Sequence, residues 1–387
     1  MKLLHVICTT DLESGGPIEA VQRITEVLIQ DGHDIQVVSL ESPEVVSKRS
    51  FHFPLIGIGK GIGRYHYNPS LTPWMRAKVK NFDVVVMHGI WNYSSLGAWR
   101  GIQGLGVPYF VFAHGMMDPW FRDAFPVKHV AKQLYWTFAE GRVLEGARRV
   151  LFTCEEERLR ARGVYRGHSY REQVVPYGTL DPKGDAMAQR AAFEQAFPAL
   201  KGRRFLLFIS RIHEKKGCDL LIDAFADCLA GMPADMDLVM AGPDQVGWMK
   251  DLKAQAERRG ASHRIHWTGM VKGDLKWGAL RSAVAMILPS HQENFGFVVP
   301  EAMACSTPVL ISDKVNIWRE VLEAKAGLVE PDTLEGTRKL IRGFLALGAA
   351  ESEAMRTAAR EGFKKNFDIE FTAREFARIL DELRLES

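Results

Sequence analysis

Short apolar segments rich in β-branched residues alternate with longer stretches of helical periodicity, and this alternation runs through the chain twice. The first set covers residues 3–7, 35–38, 84–87, 109–113, 150–152 and 174–176, and the second covers residues 205–209, 238–241, 265–267, 284–288 and 309–311. Strands that alternate with helices form a parallel sheet covered on both faces. The sequence therefore predicts an α/β fold of two Rossmann-like, doubly wound domains.

The loops that follow the strands are the places to look for chemistry. In open parallel sheets, ligands bind beyond the carboxyl ends of the strands, because loops and helix N-termini converge there. Two such domains facing one another would leave a cleft between these edges. We expect a ligand site in that cleft.

The length of the chain agrees with two domains, since 387 residues exceed the roughly 100 to 150 that one core normally serves. Residues 177–184 separate the two sets of strands and are rich in glycine and proline. We predict an N-terminal domain over residues 1–183 and a C-terminal domain over residues 184–367. Residues 368–387 have apolar side chains at helical spacing and should form a docking helix, although the sequence leaves open which domain it covers.

Composition excludes several classes of protein. The 50 basic and 47 acidic side chains nearly balance, which leaves no electrostatic footprint for nucleic acid. The five cysteines lack C-x-x-C spacing and should be reduced core residues. The apolar N-terminal run is interrupted by His5, as in a first strand rather than a signal peptide, and no window approaches the roughly 18 apolar residues of a spanning helix. These features predict a cytoplasmic protein.

Two loops of the first domain could contact a ligand. Gly15 and Gly16 follow the first strand and open a helix, where backbone can approach an anion closely, although a tight structural turn would use the same residues. The spacing is not that of a dinucleotide-binding loop. His114 ends a strand beside a glycine, where it could bond a substrate hydroxyl or carry a proton. His88 ends the preceding strand in the same way, and either histidine could be purely structural.

Two segments of the second domain carry charged side chains at strand ends. Arg211 and Lys216 share the loop after residues 205–209, where two cations at a helix mouth could grip two phosphates or form a solvated basic turn. Glu293 lies on a later loop and Glu301 lies in the first turn of the helix that follows it. The two carboxylates could bind sugar and ribose hydroxyls, or could cap a turn and compensate a helix dipole.

These motifs together resemble a known family. Residues 293–301 are similar to the Glu-x7-Glu motif of retaining family 4 glycosyltransferases of the GT-B fold. Three further motifs resemble the family's diphosphate clamp, its strand-end A-G-P and its glycine loop, and they are Arg211 with Lys216, Ala241-Gly242-Pro243, and Gly15-Gly16. Residues 114–120 look like those of a subgroup of bacterial polysaccharide-assembly enzymes. The order and spacing of the motifs cover nearly the whole chain.

The resemblance implies a role for each residue. Arg211 and Lys216 would neutralise the departing diphosphate, and the spacing from Arg211 selects Lys216 rather than Lys215. Glu293 would hold the transferring sugar and Glu301 the ribose, while the backbone near Met270 and Val271 would meet the base. His114 resembles the family's histidine near the donor sugar and is implied in catalysis together with Arg211, Lys216 and Glu293. The other residues implied in donor contacts are Gly15, Gly16, Gly242, Asn294, Phe295, Gly296, Phe297 and Val298.

The resemblance also implies a reaction, which is the retaining transfer of a hexose from a nucleotide sugar in polysaccharide biosynthesis. UDP-glucose or a related UDP-hexose is the preferred donor, and GDP-mannose is the alternative. The donor is a substrate, so no cofactor is expected, and no metal is expected because Arg211 and Lys216 already supply positive charge. The acceptor would be a glycan or a lipid-linked glycan.

Aromatic and basic residues interleave in the first domain, which suits a lipid-linked acceptor or peripheral contact with an anionic membrane. They are Trp74, Arg76, Lys78, Lys80, Trp120, Phe121, Arg122, Lys128, Lys132, Tyr135 and Trp136. An ordinary amphipathic helix packed on its own sheet would show the same pattern.

Three other functions use parts of this constellation. A glycosidase also needs two carboxylates, but the diphosphate clamp would then have no purpose. A nucleotide-sugar epimerase needs diphosphate binding but no acceptor. A two-lobed binding protein or a degenerate scaffold needs no catalytic residues, and a scaffold would be expected to have lost the clamp or the acids.

Overall fold

The computed structural model describes residues 1–12 and 15–385, so Glu13 and Ser14 of the glycine loop lie outside the described residues. The chain divides into two compact units. The first comprises Met1–Gly178 together with the segment that begins at Ile369, and the second comprises Thr179–Asp368. The division after Gly178 falls a few residues before the predicted boundary at residue 183.

The first unit contains a seven-stranded parallel sheet in the order β3-β2-β1-β4-β5-β6-β7. Its strands are β1 (Lys2–Ile7), β2 (Asp34–Ser39), β3 (Leu55–Gly57), β4 (Val84–His88), β5 (Tyr109–Phe112), β6 (Arg149–Phe152) and β7 (Glu172–Val174). The central strands β4 and β5 are buried along their whole length. Burial on both faces explains why they read as continuous apolar runs in the sequence.

Among the described residues, eight α-helices lie between the strands of the first unit. They are α1 (Gly16–Gln30), α2 (Pro43–Val46), α3 (Leu71–Lys78), α4 (Tyr93–Ile102), α5 (Trp120–Ala124), α6 (Pro126–Tyr135), α7 (Gly141–Glu145) and α8 (Glu155–Ala161). A π-helical turn over Trp136–Glu140 joins α6 to α7. The long connection from β5 to β6 therefore contains α5, α6 and α7, and it begins at the carboxyl end of β5.

The second unit repeats this plan with a six-stranded parallel sheet in the order β10-β9-β8-β11-β12-β13. Its strands are β8 (Arg204–Ile209), β9 (Met236–Ala241), β10 (Ile265–Gly269), β11 (Ala285–Leu288), β12 (Val309–Ser312) and β13 (Gly327–Glu330). Its helices are α9 (Ala186–Ala196), α10 (Cys218–Cys228), α11 (Met249–Arg258), α12 (Gly273–Ser282), α13 (Val298–Ala304), α14 (Trp318–Glu323), α15 (Leu334–Leu345) and α16 (Ala349–Asn366).

The final helix, α17 (Ile369–Arg384), belongs to the first unit although it follows the second in the chain. It packs beside α1, and the Phe376 ring stacks on His5 of β1 with ring centroids 6.3 Å apart. Arg374 Nε also bonds Asp31 Oδ2 at 2.8 Å. The structure thus answers which unit the docking helix covers, a question the sequence left open.

The predicted fold class is confirmed, since both units are doubly wound parallel sheets of α/β type. The prediction missed two strands, β3 and β13, and both lie at the edge of their sheets. An edge strand has only one neighbour and is short and half-buried here, so its apolar pattern is weak. No helix among the described residues is both long and apolar enough to cross a bilayer.

Candidate functional site

Four neighbouring strands of the second unit carry most of the predicted site residues at their carboxyl ends. Arg211 and Lys216 follow β8, Gly242 follows β9, Met270 follows β10, and the segment with Glu293 follows β11. Because parallel strands point the same way, these loops meet at one edge of the sheet, where such folds bind ligands.

The loop after β8 is shaped by its own side chains. His213 Nδ1 accepts a hydrogen bond from the Lys215 backbone N–H at 3.1 Å, which starts a short 3-10 turn ahead of α10. Arg211 is exposed, with Nη1 3.4 Å from Gln245 Oε1, whereas Lys216 is only 7% exposed. One cation of the predicted clamp faces solvent and the other points into the structure.

Lys216 forms an ion pair with Glu293, whose side chain is 20% exposed. The neighbouring Lys215 instead directs its amine to Gln292 Oε1 at 3.4 Å. The structure therefore brings the predicted clamp lysine and the first predicted acid into direct contact. Lys216, which the spacing from Arg211 selected, is thus the lysine beside Glu293.

Gly242 is required by the close approach of two strand ends. It has φ 146°, and a Cβ atom at this position would lie 1.7 Å from the carbonyl oxygen of Ser210. Its N–H donates to the Gly269 carbonyl at 2.8 Å. The glycine therefore lets the loops after β8, β9 and β10 pack against one another at the edge that carries the candidate site.

The segment after β11 is held in place by backbone hydrogen bonds to the loop after β12. The Glu293 N–H donates to the Lys314 carbonyl at 3.0 Å, and the Asn316 N–H donates to the Glu293 carbonyl at 3.0 Å. Gly296 then adopts a left-handed conformation (φ 69°) just before α13. A Cβ atom there would lie 2.8 Å from Glu293 Cγ, so the glycine leaves room for the acidic side chain.

Glu301 lies in the first turn of α13 and is 5% exposed. Its Oε1 accepts a hydrogen bond from Lys276 Nζ of α12 at 2.9 Å. Sequence reasoning did not select Lys276, because the surrounding helix has no motif and the contact depends on how α12 and α13 pack. Each of the two predicted acids thus has a lysine partner.

Three cations of the loop after β8 and one acid, Glu214, act on His213. Burial, followed by the charges of Arg211 and Lys215, lowers the pKa of His213 below its ordinary value. Nearby cations disfavour a protonated imidazole for the same reason that they favour a bound anion. The loop after β8 is therefore suited electrostatically to bind a phosphate group.

The remaining predicted residues lie at strand ends with different exposure. Met270 is 54% exposed, and Val271 is buried. Gly15, in the first unit, has φ 111° and directly precedes Gly16, the first residue of α1.

His114 belongs to the first unit, and both its ring nitrogens have protein partners. Nε2 lies 3.0 Å from His88 Nδ1, and Nδ1 lies 2.9 Å from the Tyr177 hydroxyl. Burial lowers the pKa of His114 to about 3, so the ring is neutral near pH 7. Of the two roles considered from the sequence, carrying a proton near neutral pH is therefore disfavoured.

Within residues 1–12 and 15–385, no group of three or more His, Cys, Asp or Glu side chains could hold a metal ion. None of the five cysteines forms a disulfide, and four of them are buried. Burial raises the pKa of Cys218 to about 12, as expected for a thiol in a hydrophobic core.

The chain has two α/β units with parallel sheets, and the predicted cations and acids follow strands at one edge of the second sheet. Two family profiles then identify it: "Glycosyl transferase 4-like domain" matches residues 15–178, and "Glycosyl transferases group 1" matches residues 189–362. One profile falls on each unit. The chain belongs to the family 4 glycosyltransferases of the GT-B fold, and the resemblance seen in its motifs is confirmed.

Proteins of similar sequence are also glycosyltransferases. The chain is 27% identical to the D-inositol 3-phosphate glycosyltransferase of Geodermatophilus obscurus, over 86% of this chain and 78% of that protein. The D-inositol 3-phosphate glycosyltransferase of Segniliparus rotundus is 26% identical over 90% of this chain and 80% of that protein. Three others align over less than half of their own length.

Two solved structures share the fold over almost their whole length. Sucrose-phosphate synthase from Thermosynechococcus elongatus has a TM-score of 0.76 at 20% identity, covering 99% of each chain. Anabaena HepE in complex with UDP-glucose has a TM-score of 0.75 at 16% identity, covering 99% of this chain and 100% of that one.

Proposed function

We propose that this glycosyltransferase moves a hexose from a nucleotide sugar to a glycan or lipid-linked glycan in polysaccharide biosynthesis. The observation that carries the proposal is the placement of Arg211, Lys216, Glu293 and Glu301 at one edge of the second sheet. A nucleotide sugar has the complementary groups: a diphosphate for the cations, and sugar and ribose hydroxyls for the acids. A glycosidase would use the acids but would leave the cations without a purpose.

The Lys216–Glu293 ion pair suggests how donor binding would proceed. Both charged groups are partly buried, so each needs a partner when no donor is bound. On binding, the Lys216 amine would turn to the diphosphate, and the Glu293 carboxylate would then accept hydrogen bonds from the sugar. Arg211, which faces solvent, would contact the diphosphate from the open side.

Transfer would break the bond between the sugar's anomeric carbon and the diphosphate oxygen. Negative charge grows on that oxygen, and Arg211 and Lys216 would stabilise it. In a retaining reaction without a protein nucleophile, the acceptor hydroxyl attacks the face from which the diphosphate leaves, and the diphosphate takes the acceptor's proton. Because two cations already serve the leaving group, we propose that transfer needs neither a metal nor a cofactor.

A UDP-hexose, with UDP-glucose first, is the proposed donor. Support comes from the shared fold of Anabaena HepE, whose structure contains UDP-glucose. GDP-mannose is the alternative, since Met270 and Val271 would meet the base through backbone.

The acceptor is proposed to be lipid-linked because α6 has an exposed apolar stripe. Val127, Val130, Leu134 and Phe138 are between 60% and 83% exposed and lie along one side of α6 and the following turn. Residues 126–139 contain two lysines and no acidic residue. An apolar stripe flanked by lysines fits the interface of an anionic bilayer. Trp136, which the sequence suggested for this surface, is fully buried, so that part of the prediction was wrong.

The donor proposal is tested by following nucleotide release from UDP-glucose and GDP-mannose with a lipid-linked sugar acceptor, with and without EDTA. We expect UDP release that EDTA leaves unchanged, and a product with the anomeric configuration of the donor by NMR. Loss of activity with EDTA would contradict metal independence, and an inverted product would contradict retention.

Membrane contact is tested separately by sedimentation with phosphatidylglycerol vesicles at low salt. Leu134→Asp should reduce the bound fraction at least about fivefold, because a charge in the apolar stripe cannot enter the interface. Met187→Asp is the matched control, since Met187 is a 78% exposed apolar residue of the second unit. Equal binding of both variants and the wild type would refute the assignment of this surface.

A further inference from the structure

A line of four side chains crosses the first sheet diagonally. His5 Nδ1 lies 2.7 Å from His88 Nε2, His88 Nδ1 lies 3.0 Å from His114 Nε2, and His114 Nδ1 lies 2.9 Å from the Tyr177 hydroxyl. His5 and His88 are 1% and 4% exposed, and Tyr177 is 3% exposed. Nearly the whole chain of contacts is therefore shielded from water.

Strand register explains the diagonal. His88 pairs with Ile7 of β1, two residues beyond His5, and His114 lies two residues beyond Phe112, the partner of His88. Side chains two residues apart share a face of a strand. Each of the two steps from His5 to His88 and from His88 to His114 therefore moves one strand across and two residues towards the carboxyl end, which brings the line from the buried interior to the edge where ligands bind.

Proton counting allows two arrangements of the line. A neutral histidine has one N–H, so two arrangements are possible. Either every histidine donates from Nδ1 towards Tyr177, or His88 and His114 donate from Nε2 towards His5, whose own N–H then lies on Nε2. His5 Nε2 is buried and has no hydrogen-bond partner. The first arrangement leaves only a lone pair there, whereas the second leaves an unpaired N–H, which folded proteins avoid more strongly.

We propose that His5, His88, His114 and Tyr177 form one proton-ordered chain in which each histidine donates from Nδ1. In this chain His88 and Tyr177 are positioning residues for His114. Both ring nitrogens of His114 are bonded to His88 and Tyr177. His114 therefore presents a fixed ring and backbone to a ligand and transfers no proton.

The backbone of His114 shows why it needs positioning. It has φ 51° and is followed by Gly115 with φ 72°, so two successive residues adopt the left-handed conformation. A left-handed histidine is strained and persists only where its surroundings fix it. The Gly115 N–H is held by Glu157 Oε1 at 2.5 Å, and the ring is held by His88 and Tyr177. Burial also lowers the pKa of His5 to about 3, which agrees with neutral rings throughout the chain.

NMR of the full-length protein with labelled histidines tests the proton order without reference to activity. We expect three of the twelve histidines to carry their proton on Nδ1 and to keep it, without titrating, from about pH 5 to pH 8. Assignment uses the loss of signals in H5Q, H88Q and H114Q. Protonation of any of the three on Nε2, or titration of any near pH 6.5, would overturn the proposal.

A matched pair of variants tests the positioning role, and this part rests on the proposed transferase function. His88→Gln retains a carbonyl acceptor for His5 and an amide donor for His114, whereas His88→Met retains the volume without either group. We expect His88→Met to lower kcat by about 10- to 100-fold, because a misplaced group near the substrate costs about that much in rate. His88→Gln should keep most of the wild-type kcat. The exposed His263→Met should change nothing.

Each result of these experiments decides a separate point. Equal kcat for the two His88 variants would refute positioning through hydrogen bonds. If His88→Met does not fold, the NMR result on the wild type still decides the proton order. If the wild type uses no nucleotide sugar, the proposed function fails while the proton order remains testable.

Discussion

Replacing Lys216 by methionine removes one charge from the proposed clamp and keeps the apolar stem of the side chain. Lys216 is 7% exposed and pairs with Glu293, so the substitution leaves a partly buried carboxylate without its cation. Leaving such a group unpaired costs about 1 to 3 kcal/mol. We expect the second unit to lose about that much unfolding free energy, which corresponds to roughly 2 to 10 °C in its melting temperature.

The effect of Lys216→Met on turnover should be larger than its effect on stability. Removing one donor aimed at a developing negative charge costs about 3 to 4 kcal/mol in the transition state, or roughly 100- to 1000-fold in kcat. Lys215→Met is the matched control, because Lys215 is the neighbouring lysine and its amine contacts Gln292 instead. We expect Lys215→Met to keep kcat within about threefold of wild type.

Nucleotide release measured well below the melting temperature of each variant separates catalysis from folding. The double variant Lys216→Met with Glu293→Gln removes the unpaired charge, so its stability should recover while its turnover should not. Lys216→Met with turnover within about threefold of wild type would refute the clamp. Equal losses in the Lys215 and Lys216 variants would refute the assignment of the clamp to Lys216.

Two further predictions concern the framework of the site. Gly242→Ala should destabilise the second unit by about 2 to 4 kcal/mol in chemical denaturation, because its Cβ would overlap the Ser210 carbonyl, whereas Gly231→Ala, with open space around it, should be neutral. Hydrogen bonding to Asp332 raises the pKa of His291 above 6.5, so this pair stabilises the fold fully below about pH 6.5 and loses its contribution as pH rises through the raised pKa. His291→Gln should therefore lower the melting temperature more at about pH 6 than at about pH 9, and the opposite order would contradict this reasoning.

Much of the fold could be predicted because buried parallel strands leave a strong pattern in the sequence. The segments that became β4, β5 and β8 contain continuous apolar runs. The edge strands β3 and β13 escaped prediction because one-sided pairing and partial burial require few apolar residues. The unit that α17 covers could not be predicted, since helical spacing of apolar residues indicates a buried face but does not identify the surface on which that face packs.

The candidate site was predictable only where one loop carries several functional groups. Glu293, Gly296 and Glu301 lie close together in the chain, so their spacing is visible in the sequence. Lys276 reaches Glu301 from another helix, and that contact follows from tertiary packing.

The histidine line shows the same limit. His114 and His88 were singled out as candidates at strand ends, but their contact with His5 depends on the register of β1 against β4. That register cannot be predicted from the spacing of residues in the sequence.

We propose that the second unit binds the diphosphate of a nucleotide sugar through Arg211 and Lys216. A thermal-shift panel of UDP-, GDP-, ADP- and TDP-sugars on the wild type and on the Arg211→Met, Lys216→Met double variant tests this binding. We expect one nucleotide class, UDP, to raise the melting temperature of the wild type and to leave that of the folded double variant unchanged. No shift in the folded wild type with any of the four classes, or an equal shift in the double variant, would contradict it.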